Sequence, residues 1–175
     1  MQIGLVSGGF KPYHKGHHFL VTKAAAENDK VIIITSVKSR DDMEGSAMRQ
    51  VWEEIIMPLM PLPNVELEIA VSPVGTTFEY LDNLEAGLLE KGTVLNIYGG
   101  YRDIRKRFGD EYMYSKYPKS MANETIMRSP VTRGKDSPKC SGESMRECMG
   151  NLAQFRDGLP EFLKPKAGVI MQLLI

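Results

Sequence analysis

The alternation of short apolar runs with helix-like segments constrains the fold of this chain more than any other feature. Apolar runs at residues 3–7, 30–36 and 94–98 are each followed by a segment with helical character. The β-branched run at 30–36 is typical of a parallel strand that is covered on both faces. Because parallel strands are joined by crossover helices, this order predicts an α/β fold with a doubly wound parallel sheet.

Two further strands and six helices complete the prediction. Residues 65–71 alternate apolar side chains with glutamates, which indicates a strand near a sheet edge, and residues 125–127 indicate a short fifth strand. Helices are predicted at 19–28, 46–59, 78–92, 102–108, 141–155 and 165–174. Pro58 and Pro61 are expected to end the second helix. Residues 72–77 and 129–139 are predicted as a turn and a loop, 111–123 shows no clear periodicity, and the whole chain, 1–175, is predicted to be a single domain.

The composition argues against several classes of protein. Lysine and arginine number 22, as do aspartate and glutamate, so nothing suggests binding to nucleic acid through bulk charge. No apolar run approaches the roughly 18 residues of a membrane span, and the first residues lack the pattern of a secretory signal. Cys140 and Cys148 are the two cysteines and are expected to be free thiols. We therefore predict a cytoplasmic protein with neither a membrane nor a nucleic-acid partner.

A glycine- and histidine-rich segment follows the first strand directly. It reads Gly8-Gly9-Phe10-Lys11-Pro12-Tyr13-His14-Lys15-Gly16-His17. A glycine-rich turn from a strand into a helix is where backbone N–H groups and the positive helix end can hold a phosphate. Two alternatives remain open for the histidines: they cap and pack the helix, or His14 and His18, at i and i+4, bind a metal. No cysteine or acidic residue in that turn completes a zinc set, which disfavours the metal.

A second candidate anion site lies near the other end of the chain. Ser141-Gly142-Glu143-Ser144-Met145-Arg146 places two hydroxyls and a guanidinium on a first helical turn, after a basic loop that contains Arg133 and Lys135. These groups suit phosphate binding. The alternative is an ordinary serine N-cap, with Arg146 as a solvated charge.

The two motifs together resemble the nucleotidyltransferase superfamily, whose hallmarks are His-x-Gly-His and a later Ile-Ser-x-Thr-x-Arg. The resemblance covers nearly the whole chain and implies a Rossmann-like nucleotidyltransferase fold. The branch most similar in appearance is the archaeal-type nicotinamide mononucleotide adenylyltransferases, with the pantetheine-phosphate adenylyltransferases more distant. The chain departs from these patterns at Gly9, where the first branch carries Arg and the second Thr. It departs more mildly at Cys140 and Ser144, which replace Ile and Thr.

The resemblance implies roles for individual residues. His14 and His17 are expected to contact the triphosphate and stabilise the transition state. The nucleotide is expected to contact Ser7, Gly8, Gly9, Phe10, Gly16, Gly99, Tyr101 and Arg102. The triphosphate is expected to contact Lys11, Arg133, Lys135, Ser141, Ser144 and Arg146. Lys38, Arg40 and Arg49, with Gly75 and Thr76 in a strand-end loop, are expected to bind the acceptor. Lys11 is also a candidate for the acceptor-phosphate contact that Gly9 cannot make.

The implied reaction is attack by a phosphorylated acceptor, such as nicotinamide mononucleotide, on the α-phosphorus of a nucleoside triphosphate, with release of pyrophosphate. ATP is favoured over CTP, and Mg²⁺ held mainly by phosphates and water is the expected cofactor. Three alternatives remain: a cytidylyltransferase, a catalytically inactive nucleotide-binding regulator, and a nucleic-acid-binding module that uses residues 102–119. A homo-oligomer is also compatible with the resemblance.

Overall fold

The computed structural model describes residues 1–39, 43–135 and 138–175, and its centre is a five-stranded parallel sheet. The strands are β1 (Gln2–Gly8), β2 (Lys30–Thr35), β3 (Val65–Ile69), β4 (Val94–Gly100) and β5 (Ile126–Val131). Their order across the sheet is β3-β2-β1-β4-β5, and every neighbouring pair is parallel. The predicted doubly wound α/β fold is therefore confirmed. The strand that was predicted near a sheet edge at 65–71 is β3, and it does lie at an edge of the sheet.

Helices cover both faces of this sheet. They are α1 (Lys15–Glu27), α2 (Gly45–Val51), α3 (Met57–Leu59), α4 (Pro73–Glu85), α5 (Tyr101–Arg107), α6 (Asp110–Lys116), α7 (Pro118–Ala122), α8 (Gly142–Glu147), α9 (Leu152–Gly158) and α10 (Ala167–Leu174). A π-helical turn, Trp52–Ile56, joins α2 to α3, and a 3₁₀-helix, Glu161–Lys166, precedes α10.

Side chains from opposite faces of the strands enter two separate cores. Ile33 and Ile34 are both fully buried although they point to opposite faces of β2. Ile33 packs with Trp52 and Phe155 on one face, and Ile34 packs with the apolar side chains of β4, α4 and α5 on the other. Burial on both faces explains why β2 is apolar along almost its whole length.

Several predicted boundaries are wrong, and prolines explain most of them. Residues 72–77 are not a turn, because the Ser72 hydroxyl caps α4 and Pro73 is its first residue, a position where the missing N–H costs nothing. Pro58 does not end the second helix, which continues to Leu59 through the π-helical turn. Pro130 lies within β5 rather than in a loop, and an edge strand tolerates a proline.

The other differences concern helix ends. The predicted helix at 141–155 is two helices, α8 and α9, separated by a segment in which Gly150 has a φ of 95°. The helix predicted to end at Gly92 already ends at Glu85, and the segment at 111–123 forms most of α6 together with α7. Cys140 and Cys148 are free thiols. Among the described residues, no helix combines the length and apolar character that crossing a membrane requires.

Candidate active site

The largest concentration of predicted site residues lies around one cavity of about 620 Å³ beyond the carboxyl ends of β1 and β4. The strand order reverses between these two strands, and such a switch point leaves a crevice where ligands bind in open α/β sheets. Its walls come from the β1–α1 turn, the end of β4, the exposed side of α5 and the start of α8.

His14 and His17 form one side of this cavity and also begin α1. The Nδ1 atom of His14 accepts hydrogen bonds from the backbone N–H groups of Gly16, at 3.0 Å, and His17, at 3.4 Å. The Nδ1 atom of His17 accepts in turn from the backbone N–H of His14, at 3.3 Å. The two rings stack with their centroids 3.6 Å apart. The histidines therefore do cap the helix, but only with Nδ1.

The other nitrogen of each ring is left for a ligand. Because Nδ1 accepts, the hydrogen bonds assign the proton of each neutral ring to Nε2. His14 is 2% exposed, and its Nε2 has no hydrogen-bond partner among the described residues. A buried donor without a partner costs about 1–3 kcal/mol, so this N–H is poised for an acceptor that enters the cavity.

Both rings are uncharged at neutral pH. Burial, followed by the nearby positive charges of Arg133 and Lys15, lowers the pKa of His14 to about 4. Burial, then His14 and Arg133, lowers the pKa of His17 well below its usual range. The pair can therefore donate two N–H groups to a phosphate without carrying charge itself.

Gly16 allows the His14 ring to take this position. A Cβ atom on Gly16 would lie 2.9 Å from His14 Cε1 and 3.4 Å from the carbonyl oxygen of Cys140. A side chain at residue 16 would push the ring away or displace the chain before α8. The glycine between the two histidines is thus a packing requirement of the site.

The second motif meets the first directly. Ser141 caps α8 by accepting a hydrogen bond from the backbone N–H of Ser144 at 3.0 Å. Arg146 Nη1 donates to the carbonyl oxygen of Lys11 at 2.9 Å, which joins segments that lie 135 residues apart. Gly142 makes room for this contact, since a Cβ there would lie 3.0 Å from Arg146 Nη1. Arg133, Ser141 and Arg146 consequently line the same cavity as the histidines.

Comparisons with known proteins agree with this arrangement. No protein-family model matches the chain. The chain is 26% identical over 136 residues to the phosphopantetheine adenylyltransferase of Mycoplasma capricolum subsp. capricolum, an alignment that covers 73% of this chain and 95% of the relative. This similarity confirms the resemblance to the nucleotidyltransferase superfamily that the two motifs predict.

Solved structures of adenylyltransferases share the fold of this chain. The bifunctional NMN adenylyltransferase/ADP ribose pyrophosphatase from Francisella tularensis superposes with a TM-score of 0.59 at 15% identity, over 98% of this chain. Our chain spans only 50% of that protein. A proposed nicotinate-nucleotide adenylyltransferase from Vibrio parahaemolyticus gives a TM-score of 0.57 at 14% identity, over 95% of this chain and 97% of that one.

Twelve of the predicted site residues line the cavity, eight lie outside its lining, and one cannot be placed. The twelve are Ser7, Gly8, Gly9, Phe10, Lys11, His14, Gly16, His17, Gly99, Arg133, Ser141 and Arg146. Eight lie outside its lining: Lys38, Arg49, Gly75, Thr76, Tyr101, Arg102, Lys135 and Ser144. Arg40 lies outside the described residues. The binding roles of all of them stay predictions.

Local contacts explain why some residues lie away from the cavity. The Ser144 hydroxyl donates to the carbonyl oxygen of Ser141 at 2.9 Å, as part of the helix cap. Arg49 pairs with Glu53 at 3.1 Å on the exposed side of α2. Tyr101 is 51% exposed and borders a separate cleft with Arg105.

Sequence reasoning missed several contributors to the cavity wall, four of which lie outside the two motifs. Asp103 and Arg107 reach it from α5, and Ser36 and Pro73 reach it from the segments after β2 and β3. Two signals were present. Ser36 and Pro73 follow strand ends, and Asp103 and Arg107 are four residues apart, which puts them on one helix face. The latter pair lies in the segment 102–119, which the sequence offered only as an alternative nucleic-acid-binding region.

Proposed function

We propose that this protein transfers AMP from ATP to a phosphorylated acceptor and releases pyrophosphate. One observation carries the proposal: the neutral imidazoles of His14 and His17 share a cavity with Arg133, Ser141 and Arg146. A triphosphate needs several donors and positive charges around its oxygens, and this is the chemistry that the two motifs bring together.

The side chains suit a reaction that depends on positioning rather than on covalent catalysis. An attacking phosphate is already ionised at neutral pH, so no strong general base is required. The Nε2–H groups of His14 and His17 donate to oxygens on which negative charge develops, and Arg133 and Arg146 balance the charge of the departing pyrophosphate. In-line phosphoryl-type transfer gains most of its rate from such placement and charge stabilisation.

Magnesium is proposed to enter with the triphosphate. The described residues contain no group of three or more histidine, cysteine, aspartate or glutamate side chains that would form a metal cage. Mg²⁺ usually keeps several waters and is held by substrate phosphates, which fits this cavity. Asp103 and Glu143 are carboxylates on its wall and could bind the waters of the ion. The ion would neutralise part of the triphosphate charge.

Nicotinamide mononucleotide is our first candidate for the acceptor, and phosphopantetheine is the second. The Francisella structure is of an NMN adenylyltransferase, whereas the Mycoplasma relative is a phosphopantetheine adenylyltransferase. Both acceptors are phosphomonoesters, so the proposed chemistry is the same for each. The first would place the protein in NAD biosynthesis. A homo-oligomeric state also stays a proposal, which light scattering would test.

A pyrophosphate-release screen tests the proposed function. ATP and CTP are each combined with nicotinamide mononucleotide, phosphopantetheine and a sugar phosphate in the presence of Mg²⁺, and His17→Ala serves as the background control. We expect release with ATP and at least one acceptor, well above the control. Release with CTP alone would make the protein a cytidylyltransferase. If ATP binds but no acceptor gives release, the protein is a nucleotide-binding regulator and the proposal is wrong.

A further inference from the structure

A second cleft, of about 1030 Å³, lies between α5, α6 and the edge strand β5. It is distinct from the active-site cavity, although Ile104 and Phe108 border both. Its volume is close to the upper limit of the range that small-molecule sites occupy in proteins. Tyr101, which the sequence predicted to contact the nucleotide of the reaction, borders this cleft instead. The proposed transfer assigns the cleft no role.

Two cations of the cleft are left without a partner. The side chains of Arg105 and Lys106 are exposed, and neither makes an ion pair or a hydrogen bond within residues 1–39, 43–135 and 138–175. Arg128 differs, because its Nη1 atom donates to Asp110 Oδ1 at 2.7 Å and to the carbonyl oxygen of Phe108 at 2.8 Å. The cleft therefore combines one fixed ion pair with two cations that are available to an anion.

Two tyrosine rings line the same cleft. Tyr101 is 51% exposed, and it lies four residues before Arg105, which puts both on one face of α5. Tyr112 is 47% exposed on α6, where its ring centroid lies 5.9 Å from that of Phe78 and 5.6 Å from Lys116 Nζ. These contacts hold the Tyr112 ring in place. Exposed aromatic rings beside unpaired cations suit a ligand that has a planar base and a phosphate.

We propose that this cleft is a second nucleotide-binding site, which takes a nucleoside monophosphate. The base stacks on a tyrosine ring, and Arg105 and Lys106 bind the phosphate, which carries nearly two negative charges at neutral pH. The lining holds three cations but also the carboxylates of Asp110 and Glu111. Such a small excess of positive charge suits a single phosphate better than the many phosphates of a nucleic-acid strand. The inference goes beyond the proposed function, because this ligand takes no part in the transfer.

Calorimetric titration of the full chain with AMP tests the site. AMP is also the transferred part of ATP, so we expect two binding events, one in each cavity. Arg105→Gln should weaken one event by a factor of about ten or more, as the loss of a charged hydrogen bond implies, and leave the other within about twofold. Arg156→Gln is the matched control, because it makes the same change at an exposed arginine of α9 that lines neither cavity. It should change neither event.

The assignment is overturned if no binding event depends on Arg105, or if Arg105→Gln weakens both events equally. A single event that depends on Arg105 would support the cleft and count instead against nucleotide binding in the active-site cavity. Titration with a short single-stranded oligoribonucleotide tests the other occupant: binding tighter than that of AMP and lost in Arg105→Gln would make the cleft a nucleic-acid surface and refute the proposal. Should Arg105→Gln fail to fold, Lys106→Gln applies the same criteria.

Discussion

At the scale of single residues, the site depends on how two histidines divide their nitrogens between structure and chemistry. Both use Nδ1 to cap α1, and this assigns the proton to Nε2, toward the cavity. A serine or asparagine cap would satisfy the helix equally well. The cap alone therefore does not explain two histidines, whereas donation from Nε2 to a phosphate oxygen does.

Replacement of His17 with alanine should slow the chemical step. It removes one proposed donor to the transition state, and the loss of a comparable oxyanion donor costs on the order of 10²–10³ in kcat. Single-turnover measurement with saturating ATP and acceptor would show this directly. His18→Gln is the matched control, because His18 contacts Tyr13 at 2.8 Å rather than lining the cavity. Equal rates for His17→Ala and the wild type would remove His17 from the catalytic groups.

Phe10 shows what a sequence cannot reveal at this scale. Its φ of 47° is left-handed, a conformation that glycine adopts far more readily than phenylalanine. Its ring is nevertheless buried, with its centroid 4.5 Å from that of His17. Strain of this kind costs about 1–3 kcal/mol and persists only where the surroundings enforce it. The sequence predicted that this turn holds a ligand. It could not predict the backbone strain at Phe10.

At the scale of secondary structure, the second half of the site is built on α8, which is an ordinary capped helix. The Ser141 hydroxyl accepts from the backbone of Ser144, and the Ser144 hydroxyl accepts from the backbone N–H of Ser141 in return. The two interpretations of this motif, a helix cap and an anion site, are thus compatible for Ser141. Ser144, in contrast, is occupied by the cap and lies outside the cavity lining.

Paired cap deletions separate these two roles of Ser141. Ser141→Ala and Asn151→Ala, which removes the cap of α9, should each lower the free energy of unfolding by about 1 kcal/mol. Only Ser141→Ala should also raise the KM of ATP, because only Ser141 lines the cavity. Urea denaturation and steady-state kinetics on the same samples provide the two measurements. An unchanged KM for the Ser141 variant would restrict this serine to capping.

The strands were easier to predict than the helices for a physical reason. β2 is buried on both faces, so nearly all of its residues are apolar and the strand is easily recognised in the sequence. The helices are short and half-exposed, and where some of them begin and end depends on whether a proline is tolerated within the helix. Pro73 begins α4 and Pro58 lies inside α3, and sequence alone does not distinguish a proline that starts a helix from one that follows it.

At the scale of the whole molecule, the strand order brings together motifs from the two ends of the chain. β1 is central in the sheet, with β4 and β5 beside it in order, so the loop after β5 returns to the end of β1. Residues that follow strand ends could therefore be assigned to the cavity from the predicted topology, as for Arg133 and Ser141. Asp103 and Arg107 could not, because their position depends on which face of α5 turns toward the crevice.

The burial of His14 and the partial burial of His17 and His18 predict a stability that depends on pH. Burial lowers the pKa of His14 and of His18 to about 4, and that of His17 is lowered as well. In the unfolded chain these groups bind protons near pH 6.5. The unfolded state therefore binds more protons than the folded state between about pH 6.5 and pH 4, and the free energy of unfolding should fall as the pH falls through this window.

Chemical denaturation of the wild type and of His18→Gln across this range measures the effect. Carboxylates contribute equally to both proteins, so the difference isolates one histidine. The wild-type curve should be steeper than that of His18→Gln by up to about 1.4 kcal/mol per pH unit, an upper limit because the ring of His18 is only partly buried. Above pH 7 the two curves should run parallel. Parallel curves below pH 6.5 as well would mean that His18 titrates normally in the folded protein, and its burial beside Tyr13 and Phe162 would then have no electrostatic consequence.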